Sequence, residues 1–351
     1  IKKYSVILAV LLLAILAIGA VSAESIDDTD VSTDSIDDVS VDITDNDVKN
    51  SLGAVALEEG EETSYDIDDD SYSTYFNENG TATDKLDPMG NYTLNIGNIT
   101  NKDLKIESGS SINIIAKDNG GFINNGTLTI GDGAGSAGSI FISGLTFTNI
   151  DKDGIVVNDF STDITIDDNT FDLTYTSTYA GSPMAIVTYG YVDDVEITDN
   201  EITMVSSAGY TYGIDLSYYL AGWTSYASSN AEHFYIADNI IDITSDAVGG
   251  MAEAMYLDTI ANSVIENNII KVTTNATGTA NYAMQVADSW GFYNDPFAAS
   301  PYNITINNND VTLDSADMAY GITVISLWPY DEEYETIVKD IQILDNFVAI
   351  E

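Results

Sequence analysis

A ten-residue pattern of hydrophobic and polar positions occurs six times between residues 164 and 350. Its third, eighth and tenth positions are always apolar, and its sixth is always Asn. The six segments are ITIDDNTFDL (Ile164–Leu173), VEITDNEITM (Val195–Met204), FYIADNIIDI (Phe234–Ile243), SVIENNIIKV (Ser263–Val272), ITINNNDVTL (Ile304–Leu313) and IQILDNFVAI (Ile341–Ile350). Apolar positions two residues apart have the period of a β-strand, not of a helix. Each segment therefore predicts two short strands that flank a polar turn.

The polar turn is built around the invariant Asn. These residues are Asn169, Asn200, Asn239, Asn268, Asn309 and Asn346, with spacings of 31, 39, 29, 41 and 37 residues. Repeats of this length indicate a stacked array. Asn tolerates the left-handed backbone region, so we expect it to form the corner. At equivalent corners the Asn side chains are expected to form a ladder of hydrogen bonds to the backbone of the neighbouring coil.

A short apolar strand that begins with Gly or Ala precedes each Asn segment. The six strands are Gly154–Val157, Ala185–Val187, Gly213–Leu216, Ala254–Leu257, Ala283–Val286 and Gly321–Val324. Three strands per repeat predict a right-handed parallel β-helix, an all-β solenoid in which stacked coils share one core. A β-sandwich is the alternative, but it would carry two-residue Asn-Gly hairpin turns between its strands. Less regular coils are expected at Leu104–Ile115, Leu128–Ile130 and Ile140–Asn149, the last with Leu145 in the Asn position.

The regions before the coils divide into three predicted parts. Residues 1–23 have two Lys residues, a long apolar run and small residues, which indicates a signal peptide, with an uncleaved membrane anchor as the alternative. Residues 24–62, rich in Asp and Ser, predict a disordered acidic linker. Residues 63–118 predict an N-terminal cap and first irregular coils, and residues 119–351 the β-helix. Because no cap follows the last coil, we expect the natural protein to continue beyond Glu351.

The charge of the chain is extreme, with 57 acidic and 10 basic residues and a net charge of −47. All ten basic residues are Lys. Nucleic acid is therefore excluded as a partner, since phosphate binding needs clustered basic residues, and an anionic membrane surface is equally disfavoured. The chain has no Cys, so disulfides and thiolate metal sites are excluded.

Three coils are about eleven residues longer than the others between the Gly/Ala strand and the Asn. These insertions contain all three Trp residues and several Tyr residues. Equivalent positions in a solenoid lie on one side, so the three insertions are expected to cluster. The aromatic residues predicted to bind a ligand are Trp223, Tyr226, Trp290, Tyr293, Trp328 and Tyr330. The alternative is that these rings pack against the flank of the helix.

Catalytic and metal-binding patterns are weak. The chain has one His, His233, expected at the surface, and no Arg, which argues against the common polysaccharide-cleaving β-helix enzymes. A glycosidase that uses only carboxylates is still an alternative, because two acidic residues are enough to hydrolyse a glycosidic bond. No catalytic residue, cofactor or metal is predicted. The two calcium candidates, Asp66–Asp70 and Asp151–Gly154, do not match the twelve-residue calcium loop, so solvated acids are the preferred interpretation.

Five Asn-x-Ser/Thr sequons occur in the chain. They begin at Asn91, Asn98, Asn125, Asn275 and Asn303. In an exported protein such sequons are acceptors for N-glycosylation where they lie on the surface. We predict glycosylation for those that lie on loops.

The chain resembles the adhesin-like surface proteins of methanogenic archaea. The residues that carry the resemblance are Ser71–Asn77 (SYSTYFN), Leu94–Lys102 (LNIGNITNK), Asn124–Gly133 (NNGTLTIGDG) and Ile142–Phe147 (ISGLTF), together with the signal sequence, the acidic stretch and the Asp-Asn coils. The resemblance covers nearly the whole chain and implies a cell-surface attachment factor. It implies no catalytic or ligand-binding residue.

The expected function is therefore that of a non-enzymatic, exported adhesin-like protein at the cell surface. Its β-helical rod would present aromatic and acidic loops to glycans or to surface proteins of other cells. Two alternatives stay open: a polysaccharide-active enzyme on the same scaffold, and a passive structural protein of the cell envelope.

Overall fold

The computed structural model describes residues 63–86, 90–106, 111–117, 120–131, 138–158, 161–189, 192–217, 231–275, 280–287, 301–325 and 338–351. All of them belong to one compact unit, Glu59–Glu351. The predicted signal peptide and acidic linker lie outside the described residues. The described chain is almost entirely β-structure in three parallel sheets.

The strand that precedes each Asn corner belongs to the first sheet, which has 11 strands. They are β1 (Thr63–Ile67), β2 (Asn91–Ile96), β5 (Ser111–Ala116), β8 (Ser139–Ser143), β11 (Ser161–Asp167), β14 (Val192–Thr198), β17 (Ala231–Glu232), β18 (Phe234–Ala237), β21 (Ile260–Glu266), β24 (Tyr302–Asn307) and β27 (Lys339–Leu344).

The strand that follows each Asn corner belongs to the second sheet, which has 9 strands. They are β3 (Asn98–Thr100), β6 (Gly121–Asn124), β9 (Leu145–Ile150), β12 (Thr170–Tyr175), β15 (Glu201–Ser206), β19 (Ile240–Ser245), β22 (Ile269–Thr274), β25 (Asp310–Ser315) and β28 (Phe347–Ile350).

The Gly/Ala strands make up the third sheet, which has 8 strands. They are β4 (Leu104–Ile106), β7 (Leu128–Ile130), β10 (Ile155–Asn158), β13 (Met184–Tyr189), β16 (Thr211–Ser217), β20 (Ala252–Asp258), β23 (Asn281–Ala287) and β26 (Ala319–Ile325). The chain thus visits the three sheets in turn and pairs each strand in parallel with its counterpart one coil away, as in Ile166↔Ile197, Phe171↔Ile202 and Ile186↔Ile214. This is a parallel β-helix-like stack of coils, as the repeat predicts.

The apolar positions of the repeat fill one continuous core. Ile166, Phe171 and Leu173 of the first regular coil are fully buried, and the equivalent positions of the next four coils are also buried. Phe147 and Phe171 stack across neighbouring coils with ring centroids 4.9 Å apart. In the last coil Ile343 and Ile350 are about half exposed, because the first and second sheets end there.

The Gly/Ala positions are small because the backbone of the third sheet lies close to the second sheet. A Cβ atom on Gly154 would lie 2.6 Å from Cε1 of Phe171 and 2.5 Å from the Ala185 carbonyl oxygen. These separations are well below van der Waals contact. A larger side chain there would have to displace the core.

The Asn ladder is present as predicted. The backbone N–H of Asn200 donates to Oδ1 of Asn239 at 3.1 Å, and the Asn200 amide donates to the carbonyls of Ile166 and Thr198, both at 2.8 Å. The same contacts recur from Asn169 to Asn309, and Asn346 accepts from Asn309 at 2.8 Å. Leu145 occupies the Asn position of its coil, and its N–H donates to Oδ1 of Asn169 at 3.0 Å.

The expectation that the Asn itself adopts the left-handed conformation is wrong. The residue before it does so, with φ between 51° and 58°; these residues are Asp168, Asp199, Asp238, Asn267, Asn308 and Asp345. Asp and Asn share the tolerance for positive φ. The turn therefore places the left-handed residue outside and turns the following Asn inward, where its amide pairs with buried backbone groups.

The chain before β2 packs onto the start of the same core. The short helix α1 (Tyr72–Tyr75) lies between β1 and β2, and Tyr72, Phe76 and Leu86 are buried. Tyr72 and Phe76 stack with their ring centroids 5.2 Å apart. Among the described residues no helix is long and apolar enough to cross a membrane.

Candidate functional site

The three aromatic insertions begin at the ends of strands in one sheet. Residues 218–230, 288–300 and 326–337 follow β16, β23 and β26, and β20 lies between β16 and β23 in the third sheet. The insertions therefore start on one side of one sheet, β23 and β26 being adjacent and β16 one strand further away, whereas the clustering of the insertions stays a prediction. The predicted binding residues Trp223, Tyr226, Trp290, Tyr293, Trp328 and Tyr330 lie outside the described residues.

The outward side of the third sheet, beside these starting points, carries tyrosines and carboxylates. Register aligns two columns of side chains on it, and we call them together the tyrosine–carboxylate face. The first column is Tyr212, Glu253, Tyr282 and Tyr320, and the second is Asp215, Tyr256, Gln285 and Thr323. Their neighbours along the strands, such as Ile214 and Met255, belong to the core, so these columns point away from it.

Glu253 is the most perturbed acid on this face. Its side chain is fully buried, and neither carboxylate oxygen has a hydrogen-bond partner. Burial, together with the nearby Asp215 carboxylate, raises the pKa of Glu253 well above its usual value. The neutral, protonated form is therefore favoured. Gln285 is also buried, and its Oε1 has no hydrogen-bond partner.

The tyrosines of this face lie close to one another, and all except the exposed Tyr320 are half-buried. The rings of Tyr282 and Tyr320 stack with centroids 5.0 Å apart, and those of Tyr212 and Tyr256 are 6.1 Å apart. Burial, and then neighbouring carboxylates, raise the pKa values of Tyr212 and Tyr256. Their hydroxyl groups stay protonated and can donate hydrogen bonds.

This arrangement has two chemical capacities. Aromatic rings with hydroxyl groups can stack on sugars and hydrogen-bond their hydroxyls. A protonated carboxyl with a second carboxyl group nearby is an arrangement that enzymes use for acid–base cleavage of glycosidic bonds. Sequence reasoning missed Glu253, although a Glu between two Ala residues of the strand AEAMYLD is a visible signal.

The acids of the first calcium candidate bind groups of the protein. Asp66 pairs with Lys117 at 2.7 Å, and Asp69 pairs with Lys102 at 2.8 Å. The hydrogen bond from Lys117 lowers the pKa of Asp66. Asp68 accepts hydrogen bonds from the backbone and the hydroxyl of Ser71 at 2.9 and 3.0 Å.

The acids of the second calcium candidate are also engaged within the fold. Asp153 accepts hydrogen bonds from the Met184 N–H at 3.0 Å and the Tyr175 hydroxyl at 3.1 Å, and burial raises its pKa. Asp151 accepts hydrogen bonds from the backbone and side chain of Thr176. These contacts connect neighbouring coils and account for both carboxylates.

The five sequons differ in how accessible their amides are. Asn91, Asn98 and Asn275 are exposed. Asn125 is half-buried, and its amide donates to Oδ1 of Asn101 at 2.8 Å. Asn303 is exposed, but its amide donates to Oδ1 of Asn262 at 2.8 Å. A glycan on either of these two would compete with a hydrogen bond between coils.

His233 is at the surface, as expected, with a side chain 54% exposed. Its Nδ1 lies 3.3 Å from Oδ1 of both Asp193 and Asp194, which belong to the preceding coil. Its Nε2 lies 3.9 Å from Oε2 of Glu232. Sequence reasoning could not bring these residues together, because about 40 residues separate them along the chain.

The chain matches no protein-family model, no curated protein and no solved structure.

Proposed function

We propose that this protein is a non-enzymatic, exported adhesin-like protein. In this proposal a right-handed parallel β-helix forms a rigid rod at the cell surface and presents the aromatic insertions to glycans or surface proteins of other cells. The observation that carries the proposal is that the three insertions all follow strands of the third sheet, β16, β23 and β26, of which β23 and β26 are adjacent.

Three further features support a protein that presents binding loops rather than one that catalyses a reaction. The ladder and the continuous core make a stiff support, on which loops can be varied without disturbing the coils. The net charge of −47 favours a hydrated and soluble surface. The resemblance to adhesin-like proteins points the same way.

The test of this proposal is removal of the three Trp side chains from the insertions. We expect the full-length triple variant Trp223→Ala, Trp290→Ala and Trp328→Ala to lose at least tenfold in affinity for the glycans or cells that the wild type binds. Affinity can be measured on a glycan array and by cell pull-down.

The matched control replaces two exposed tyrosines of the coils, Tyr210→Ala and Tyr235→Ala, which are 46% and 37% exposed. This control should bind as the wild type does. If the triple Trp variant also keeps full binding, the rings pack on the flank instead, and the proposal fails.

A second candidate function is glycoside hydrolysis at the tyrosine–carboxylate face. The pairing of Glu253 with Asp215 favours it, since the protonated Glu253 could serve as general acid and Asp215 as the second carboxylate. It stands second because Glu253 is fully buried and a substrate would need a path to it.

The two functions can be separated by incubating the purified protein with plant and microbial polysaccharides. Release of reducing sugar by the wild type but not by Glu253→Gln would establish the enzyme. Binding without release of sugar supports the adhesin. The absence of both binding and release would favour a passive envelope protein. Glu201→Gln, at an exposed position of β15, is the control for loss of one acid.

A further inference from the structure

A column of left-handed residues runs along the first sheet, one residue before the buried part of each strand. The column is Asp163, Asp194, His233, Asn262, Asn303 and Asp340, with φ between 50° and 62°. Five of the six are Asp or Asn, which tolerate this conformation. His233 is the exception, so an imidazole stands where the fold needs only a small polar side chain.

The imidazole of His233 faces carboxylates with both of its nitrogens. Nδ1 is 3.3 Å from Oδ1 of Asp193 and 3.3 Å from Oδ1 of Asp194, and the three atoms lie within 4.8 Å of one another. On the other side, Nε2 is 3.9 Å from Oε2 of Glu232. Glu232 is held by the amide of Asn262 at 2.8 Å and the hydroxyl of Tyr302 at 2.9 Å.

The two separations of 3.3 Å between Nδ1 and the Asp oxygens fit neighbouring ligands of a tetrahedral metal ion. With metal–ligand bonds of about 2.0–2.1 Å, neighbouring ligand atoms of a tetrahedral ion lie about 3.3 Å apart. The Glu232 carboxylate lies beyond hydrogen-bond distance of the second ring nitrogen and adds negative charge on that side of the imidazole. A single hydrogen on Nδ1 would have to be shared between the two Asp carboxylates, whereas a metal ion binds both carboxylates at once.

We propose that His233, Asp193 and Asp194 bind one divalent transition-metal ion of the zinc class. One imidazole and two carboxylates leave a fourth position for water, as in open zinc sites. The ion would join two successive coils of the first sheet, because Asp193 and Asp194 belong to β14 and His233 lies between β17 and β18.

The test uses the full chain, stripped of metal, titrated with Zn²⁺ by calorimetry and with Co²⁺ by visible absorption. We expect one saturable equivalent of Zn²⁺, a Co²⁺ spectrum of low coordination number, and a rise in melting temperature on addition of Zn²⁺. His233→Asn should lose all three effects. This variant is expected to fold, because Asn262 and Asn303 occupy the same column with the same backbone conformation.

Two further variants separate a built site from diffuse binding by the acidic surface. Asp194→Asn should weaken Zn²⁺ binding at least tenfold, whereas Asp340→Asn, in the same column with the same loss of charge, should not. The proposal is overturned if His233→Asn binds Zn²⁺ like the wild type, which would indicate non-specific carboxylates. It is equally overturned if the wild type shows no saturable equivalent, which would leave His233 hydrogen-bonded only.

Discussion

Glu253 shows how one buried side chain links stability to pH. Its carboxyl group is fully buried without a hydrogen-bond partner, and its pKa is raised from 4.5 by burial and by Asp215. The folded chain therefore holds a proton that the unfolded chain releases above about pH 4.5. Stability from this group is fully present below that pH and declines as pH rises towards the folded-state pKa.

We therefore expect Glu253→Gln to flatten the pH dependence of stability. Between pH 5 and pH 8 the wild type should lose up to about 1.4 kcal/mol of unfolding free energy per pH unit relative to the variant, the value for one proton. Urea denaturation at several pH values measures this difference. A variant curve parallel to that of the wild type would mean that Glu253 is ionised in the folded chain.

At the scale of the structural element, the Asn ladder holds the corner between the first and second sheets. Each interior Asn side chain pairs buried groups of its own coil and of the coil before it: the Asn239 amide donates to Ile197 and Ala237, and its oxygen accepts from Asn200. At the end of the ladder, Asn346 makes the same contacts but is only half-buried. Water can therefore replace part of what Asn346 provides.

Asn239→Ala should consequently destabilise the protein by about 3 kcal/mol or more, because it removes two hydrogen bonds from the amide to carbonyls and leaves the buried Asn200 N–H without its acceptor. Asn346→Ala should cost about 1 kcal/mol. Chemical denaturation of the two variants gives the comparison. Equal losses at the two positions would show that the ladder contributes through side-chain packing rather than through buried hydrogen bonds.

The sequence predicts the coils well because their signal is local. Ile and Val at every second position identify the inward face of each strand. The invariant Asn identifies a polar side chain needed inside the corner. The strands and the Asn ladder could therefore both be predicted from the sequence. Which residue of Asp168–Asn169 takes positive φ could not be read, since both types tolerate it. Which of the two residues has positive φ depends on which side chain points into the core, and this requires the three-dimensional structure.

At the scale of the whole molecule, apolar side chains fill the inside of the coils and carboxylates lie mostly outside. The candidate sites arise only at this scale. Glu253 meets Asp215 and Tyr282 because β16, β20 and β23 are neighbours, and His233 meets Asp193 because the column aligns them. Sequence reasoning could not predict either cluster, because each requires the register between coils of unequal length.

The ladder has a further consequence for how such a stack can change in size. Within the ladder from Asn169 to Asn346, each coil presents the same acceptor to the coil before it, and each donates in the same way to the coil after it, although successive Asn residues are 29 to 41 positions apart. The hydrogen bonds between successive coils therefore do not depend on the length or sequence of the rest of each coil. A whole coil could therefore be duplicated or deleted within the ladder, and the coils on either side would still pair through the same hydrogen bonds. The length of the stack can thus change in evolution by one coil at a time.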